Sequence, residues 1–342
     1  MKHVFKQVIR AAILLAAFFP LRAQAAVTVY ADDTTSNSAI ATPQPPAATA
    51  LNPTPPPATP SDVRYETAGE PDFSKSFTVA PGGSLNVQAN RGDIHVAGTD
   101  QNTVQIRVLR EVSHASDAEA ARALKDHHVV LEQHGNEISV TAEEPRRFGS
   151  ASWWRWWGQP NLNVHYQITV PQAFDARLKT EGGDIAVATL HGNVTAKTEG
   201  GSLKFNGIHG NVNGKTEGGN VDAVACHDEL QLLTEGGNIS IEQFTGNGLQ
   251  ARTEGGSIFA DFAVPPRADC ALHTDGGNVT VKIPETAAVN LDAHTDGGTT
   301  RTDLPIQLKA RLDGETLRGT INGGGPALKL TTQGGNVRVL KR

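Results

Sequence analysis

Seven carboxylates recur at a nearly fixed interval in the second half of this 342-residue chain: Glu181, Glu199, Glu217, Glu235, Glu254, Asp275 and Asp296. Repeated on one face of a stacked structure, such groups sit about 5 Å apart, inside the screening length of roughly 8 to 10 Å, and repel unless compensated. One compensator is a cation such as calcium, which takes about six to eight oxygens. The other is in the chain. Two positions before the acids stand Lys179, Lys197, Lys215, Arg252, His273 and His294, with Leu233 the exception. On an alternating strand both positions share a face, so acid and base columns neutralise each other, each exposed pair contributing about 0 to 1 kcal/mol. This ladder is the expected state, because the G-G-x-G-x-D nonapeptide of calcium-binding repeats is absent. No cofactor is expected, and calcium at the acid column is the alternative.

Other polar residues follow the same periodic logic. His191, His209 and His227 recur at one corner position and read as solvated turn residues, able to hold a metal only weakly. Neither H-E-x-x-H nor G-x-S-x-G occurs. Glycoside cleavage gathers two carboxylates at one unique place, whereas the acids here are spread as a repeat. No catalytic, cofactor-binding or metal residues are therefore expected, and the chain does not read as an enzyme. Arg91-Gly92-Asp93 spells an attachment tripeptide but fills a corner equivalent to the repeat glycines, which accounts for it without a receptor. One segment stands apart: Trp153, Trp154, Arg155, Trp156 and Trp157 hold all four tryptophans of the chain. Two roles are open to it. It caps the open end of a stack, or it projects as a binding loop for envelope polysaccharide, a membrane surface or a protein partner.

The element that positions these columns is the phrase T-[E/D]-G-G, beginning at Thr180, Thr198, Thr216, Thr234, Thr253, Thr274 and Thr295, with a relaxed copy at Thr332. The spacing is 18 to 21 residues, then 37, about two more periods. Such a period marks a solenoid, in which each unit buries its apolar face against its neighbours. In Val194-Thr195-Ala196-Lys197-Thr198 the residues alternate, and Leu203 and Phe205 continue the apolar face after the glycines. Gly-Gly is expected to supply the positive φ angles of a sharp corner. A looser corner, as in Leu190-His191-Gly192-Asn193-Val194, completes each coil. The expected fold is all-β: a single-stranded β-solenoid, or β-helix, with coils of about 18–21 residues. Before the repeats, Arg91-Gly92-Asp93-Ile94 parallels Gly182-Gly183-Asp184-Ile185 as an early coil, and Ser116 opens a short helix with a capping-box pattern.

Residues 1–25 have a basic start, an apolar run from Ala11 to Leu21 and Ala23-Gln24-Ala25, the pattern of a secretory signal peptide. Residues 26–62, rich in Pro, Ala and Thr, form a spacer that cannot bury enough apolar area to fold. Residues 63–170 read as early coils, helix and cap, and 171–342 as the repeat solenoid. Nothing after the signal is apolar enough to span a membrane as a helix. The chain is therefore expected to be exported, to the periplasm, the cell surface or the medium. A net charge of −6, with no concentrated basic face, gives no reason to expect nucleic acid.

Pro81-Gly82-Gly83-Ser84-Leu85, Gly92-Asp93-Ile94, the capped helix, the T-E-G-G series and Ile321-Asn322-Gly323-Gly324-Gly325-Pro326 together resemble the bacterial putative-adhesin domain family. The resemblance runs from about Phe73 to the C-terminus. It implies an exported, right-handed β-helical, non-enzymatic protein of adhesin-like or scaffolding role, with carbohydrate binding or carbohydrate chemistry as the alternative. It brings no catalytic residues.

Overall fold

The computed structural model describes residues 62–67, 69–143, 161–309 and 314–342. The signal and spacer segments lie outside the described residues except for Asp62, as does the whole of Trp153–Trp157. The described strands form two sheets, of 14 and 12 strands. Each T-[E/D]-G-G corner carries the chain from the larger sheet to the smaller, and the looser corner returns it. Successive coils stack in parallel and in register: Val194 pairs with Val212, which pairs with Leu230, which pairs with Leu249. The inward residues of one coil, Val194, Ala196, Leu203 and Phe205, are all buried. The early coil is part of this stack, with Ile94 beside Ile185 and Leu85 beside Ala176.

The repeated threonines are inward and fully buried, as alternation requires. A buried hydroxyl needs partners, and each has two. Thr216 Oγ1 donates to the Gly201 carbonyl of the preceding coil at 2.7 Å and accepts the N–H of Gly219 in its own corner at 3.3 Å. Thr198, Thr234, Thr253, Thr274, Thr295 and Thr332 repeat both bonds. Outside the core, the residue after each glycine pair but the last, Thr299, accepts a backbone N–H from the next coil, as Asn220 Oδ1 does from Asn238 at 2.8 Å.

The glycine pairs work differently from the expectation. Among them only Gly183 has a left-handed φ, at 132°. The second glycine is required by stacking distance instead, since a Cβ on Gly219 would lie 2.0 Å from the Gly201 carbonyl oxygen, and one on Gly237 2.0 Å from that of Gly219. The first glycine is open in the early coils, where a Cβ on Gly218 would meet nothing nearer than 3.8 Å and one on Gly200 nothing within 4 Å, and tighter in the late ones, where a Cβ on Gly276 or Gly297 would stand 3.1 Å from a backbone oxygen.

Both ends of the stack are threaded out of order. The Thr332 coil does not lie two periods beyond the Thr295 coil. Its strand Ala327–Thr332 inserts between Cys270–Thr274 and Val289–Thr295, parallel to both. The 37-residue interval instead holds an antiparallel excursion, Ile306–Leu308 and Thr316–Ile321, that covers the last coil. At the other end Gly83–Ala89 lies between Phe174–Thr180 and Glu137–Glu143, with antiparallel His128–His134 and Val63–Thr67 outside. Exposed sheet edges invite edge-to-edge pairing, and antiparallel strands that turn back over the stack limit it. Cys226 and Cys270 are both buried and unbridged, and Cys270 stacks on Leu249, itself on Leu230.

The helix Asp117–Asp126 starts where Glu119 accepts the Ser116 N–H at 2.9 Å, and none of its residues is buried. Its far end is held from below by Arg110, which continues the inward phase of Val104, Ile106 and Val108. The buried guanidinium donates from Nη1 to the carbonyls of His127 at 2.8 Å and Leu124 at 3.3 Å, and from Nη2 to that of Glu70. A cation against the last carbonyls of a helix is favoured by the helix dipole.

Candidate functional site

The smaller sheet carries a groove of about 610 Å³ on its outer face. Register builds it. One row across the strands runs Ser74, Arg107, Gln167, His95, Ala186, Lys204. The row beside it contributes Gln105, Thr169, Ala97, Ala188 and Asn206. Alternation sends all these residues outward while Ile106, Ile168, Val96, Val187 and Phe205 face the core. The floor is low because Ala97, Ala186 and Ala188 have only a methyl to fill it, and the longer side chains of neighbouring strands form its walls.

The lining contains no carboxylate, in a chain of net charge −6. Its donors are the cations Arg107 and Lys204, the imidazole of His95 and the amides of Gln105, Gln167 and Asn206. Asp72, outside the lining, holds Arg107 by Nε at 3.2 Å and Nη2 at 2.6 Å. That hydrogen bond keeps the Asp72 carboxyl below its ordinary range and raises Arg107 further, so both stay charged at neutral pH. The Nη1 edge of Arg107 and the Nζ of Lys204 make no hydrogen bond or ion pair among the described residues. Six strands lie beneath; the five from Thr103–Ser113 to Leu203–Asn206 are each paired on both sides, while Asp72–Thr78, which contributes Ser74 at one end of the groove, is the edge of the sheet and pairs only with Thr103–Ser113. Across the five inner strands any ligand is held by side chains.

The residues singled out by spacing are placed differently. Glu181, Glu199, Glu217, Glu235 and Glu254 line one exposed corner and make no ion pair within 4.0 Å among the described residues, so the basic column does not neutralise them by contact. Only the far acids have such partners. Asp275 accepts from His273 at 2.8 Å and Gln333 at 3.2 Å and lies 3.8 Å from Arg252, and Asp296 lies 3.0 Å from His294. Gln333 stands between Asp275 and Asp296 because its coil is inserted there, which breaks the carboxylate column with a neutral amide.

His191, His209 and His227 do stack, with ring centroids 4.7 and 3.9 Å apart. Burial, followed by the neighbouring His227 and His191, holds His209 below the usual histidine value. Among the described residues no group of three His, Cys, Asp or Glu side chains converges as a metal site. A second polar centre went unread in the sequence: beside buried Arg110, His127 is 1% exposed, its Nε2 3.4 Å from the hydroxyl of buried Tyr166. Burial and the Arg110 charge push His127 down to about 4. The groove too went unread, because its residues come from six strands whose neighbours only the register reveals. For Arg110 a signal existed, since it keeps the phase of an alternating apolar strand.

No curated protein matches the chain. Among solved structures, a putative adhesin from Bacteroides fragilis is 13% identical, with 79% of this chain and 97% of that one covered and a TM-score of 0.36. A putative cell adhesion protein from Clostridium sporogenes is 10% identical, with 79% and 100% covered and a TM-score of 0.27. A putative adhesin from Parabacteroides distasonis is also 10% identical, with 79% and 97% covered and a TM-score of 0.28. No helix among the described residues is long and apolar enough to cross a membrane. The Toastrack model matches residues 99–340, from the first antiparallel strands through the inserted C-terminal coil, and the chain belongs to the Toastrack family, DUF4097.

Proposed function

We propose that this chain is an exported, non-enzymatic surface protein of adhesin-like or scaffolding role, which holds envelope material rather than transforming it. The observation that carries this reading is the fate of the repeated polar groups. The threonines and the Asp, Asn and Ser residues after the glycines are engaged in inter-coil hydrogen bonds, which tie coil to coil. The broad groove on the smaller sheet presents donors and no carboxylate. Glycoside hydrolysis places two carboxyl groups about 5 to 9.5 Å apart around the scissile bond, so the groove suits carbohydrate binding better than carbohydrate cleavage. The basic, apolar and small-residue order of residues 1–25 supports export.

The test is co-sedimentation of the full chain with isolated envelope material, with new reducing ends assayed in the same tubes. The expected outcome is saturable binding with no new ends. Release of ends that scales with protein, and is lost when a groove residue is changed, would contradict the proposal.

A further inference from the structure

Resting on that reading, we infer that the groove binds an acidic, unbranched polysaccharide laid along the solenoid axis, its carboxylates meeting Arg107 and Lys204 and its hydroxyls meeting Gln105, Gln167 and Asn206. Three features select this class. First is charge. The walls carry two cations and a histidine with no acid among them. Of the acids beside them, Asp72 occupies the Nε–Nη2 edge of Arg107 and leaves Nη1 to a ligand, and Asp222 neighbours Lys204 in register on the next strand, outside the lining. Charge-assisted hydrogen bonds from guanidinium and ammonium groups are about twice as strong as neutral ones.

Second is shape. From the Arg107 strand to the Lys204 strand there are five strands, so the cations stand about four strand spacings, roughly 19 Å, apart. A single small anion cannot touch both, whereas an extended chain with charges along its length does. Third is the kind of contact available. An extended peptide is normally captured by adding a strand to a free sheet edge, with pockets for alternate side chains. Here the five strands from Arg107 to Lys204 are already paired on both sides, the one free edge, Asp72–Thr78, lies at the end of the groove beyond Arg107, and the alanine floor is shallow. What the groove does offer is amides and a low methyl floor, which match the many hydroxyls and the C–H faces of sugar rings.

The experiment titrates the full chain with a short oligogalacturonide and with a neutral dextran oligomer of equal length. Three variants accompany it: Lys204→Glu, Ala186→Trp to fill the floor, and Lys197→Glu, which reverses a charge on the other sheet. The acidic oligomer should bind, more weakly as salt rises, and the dextran should not. Lys204→Glu and Ala186→Trp should lower affinity at least tenfold with unchanged thermal unfolding, and Lys197→Glu should leave it as it was. Equal binding of dextran, or an unchanged affinity in both groove variants, overturns the inference. Retention on envelope material by wild type and both groove variants alike, with no oligogalacturonide bound, also overturns it and leaves the adhesin-like reading standing. Failure of the wild-type chain to bind envelope material as well brings down both.

Discussion

Replacing the two glycines of one corner, Gly218 and Gly219, each by alanine should give opposite signs. A Cβ on Gly219 would stand 2.0 Å from the Gly201 oxygen, 2.4 Å from its carbonyl carbon and 2.7 Å from the Ser202 nitrogen. All three atoms are backbone of the preceding coil, and the first is some 1.4 Å inside the 3.4 Å at which ordinary contact begins. The coils must part at that corner. Parting strains a well-packed interior, at about 1 to 3 kcal/mol. It also stretches the 2.7 Å bond from Thr216 to the same Gly201 oxygen, at about 1 kcal/mol more. The expected loss is about 2 to 4 kcal/mol, or roughly 4 to 16 °C in Tm for a unit of this order of size. Gly218 is outside the left-handed region and its Cβ would find only the Glu199 and Gly200 oxygens, at 3.8 and 3.9 Å. There alanine restricts the unfolded chain without native strain and should stabilise by about 0.4 to 1 kcal/mol. Thermal unfolding followed by circular dichroism reads both. Equal destabilisation by the two substitutions would show that the corner needs glycine for its own conformation, and would refute the stacking argument.

Thr216→Val keeps the shape but leaves the Gly201 carbonyl and the Gly219 N–H without their hydroxyl partner, and should cost about 1 to 3 kcal/mol. Thr216→Lys should be far worse, and Glu217→Lys, at an exposed position, should stay within about 0.5 kcal/mol; equal losses in Tm from the two lysines would contradict the register. His127 has a folded pKa depressed from 6.5 to about 4. Its contribution is therefore present above pH 6.5 and lost as pH falls toward 4, to an extent of about 3 kcal/mol. His127→Phe should flatten that part of the stability–pH curve, and an unchanged curve would show that His127 is not its source. The coil order is tested by cysteine pairs: Asp275→Cys with Gln333→Cys should cross-link across one strand spacing. Asp275→Cys with Asp296→Cys, about 9.6 Å apart across two spacings, should not; the reverse pattern would place the Thr332 coil at the end of the stack.

Period and alternation made much of this fold legible. Each inward threonine and each apolar partner such as Val194, Val212 and Leu230 follows from counting along the chain, and Arg91-Gly92-Asp93-Ile94 could be aligned with a repeat corner before any register was known. What the sequence does not carry is which coil lies beside which. Apart from Ala176 and Cys270, the coils present the same inward valine or leucine and the same threonine, so the Thr332 coil fits equally well after the Thr295 coil or before it. The choice is made by the antiparallel excursion that closes over the last coil. The glycine pairs were legible as corners, but their cause was not, because the clash that excludes a side chain at Gly219 comes from a residue 18 positions earlier. The groove was hidden for a related reason. Its alanines look like ordinary small residues on separate strands, and only the lateral row from Ser74 to Lys204 turns them into a floor. Among the columns read as candidate chemistry, the acids are spread along a corner rather than gathered, and Gln333 interrupts them.

The most direct test of the functional account is hydroxyl-radical footprinting of the full chain with and without saturating envelope polysaccharide, read residue by residue by mass spectrometry. The account predicts that protection is confined to the outward residues of the groove, above all His95, Gln105, Arg107, Gln167 and Lys204, while Glu199, Glu217 and Glu235 on the acid corner keep their reactivity. Protection along the acid corner or at Trp153–Trp157, with the groove unchanged, would contradict it.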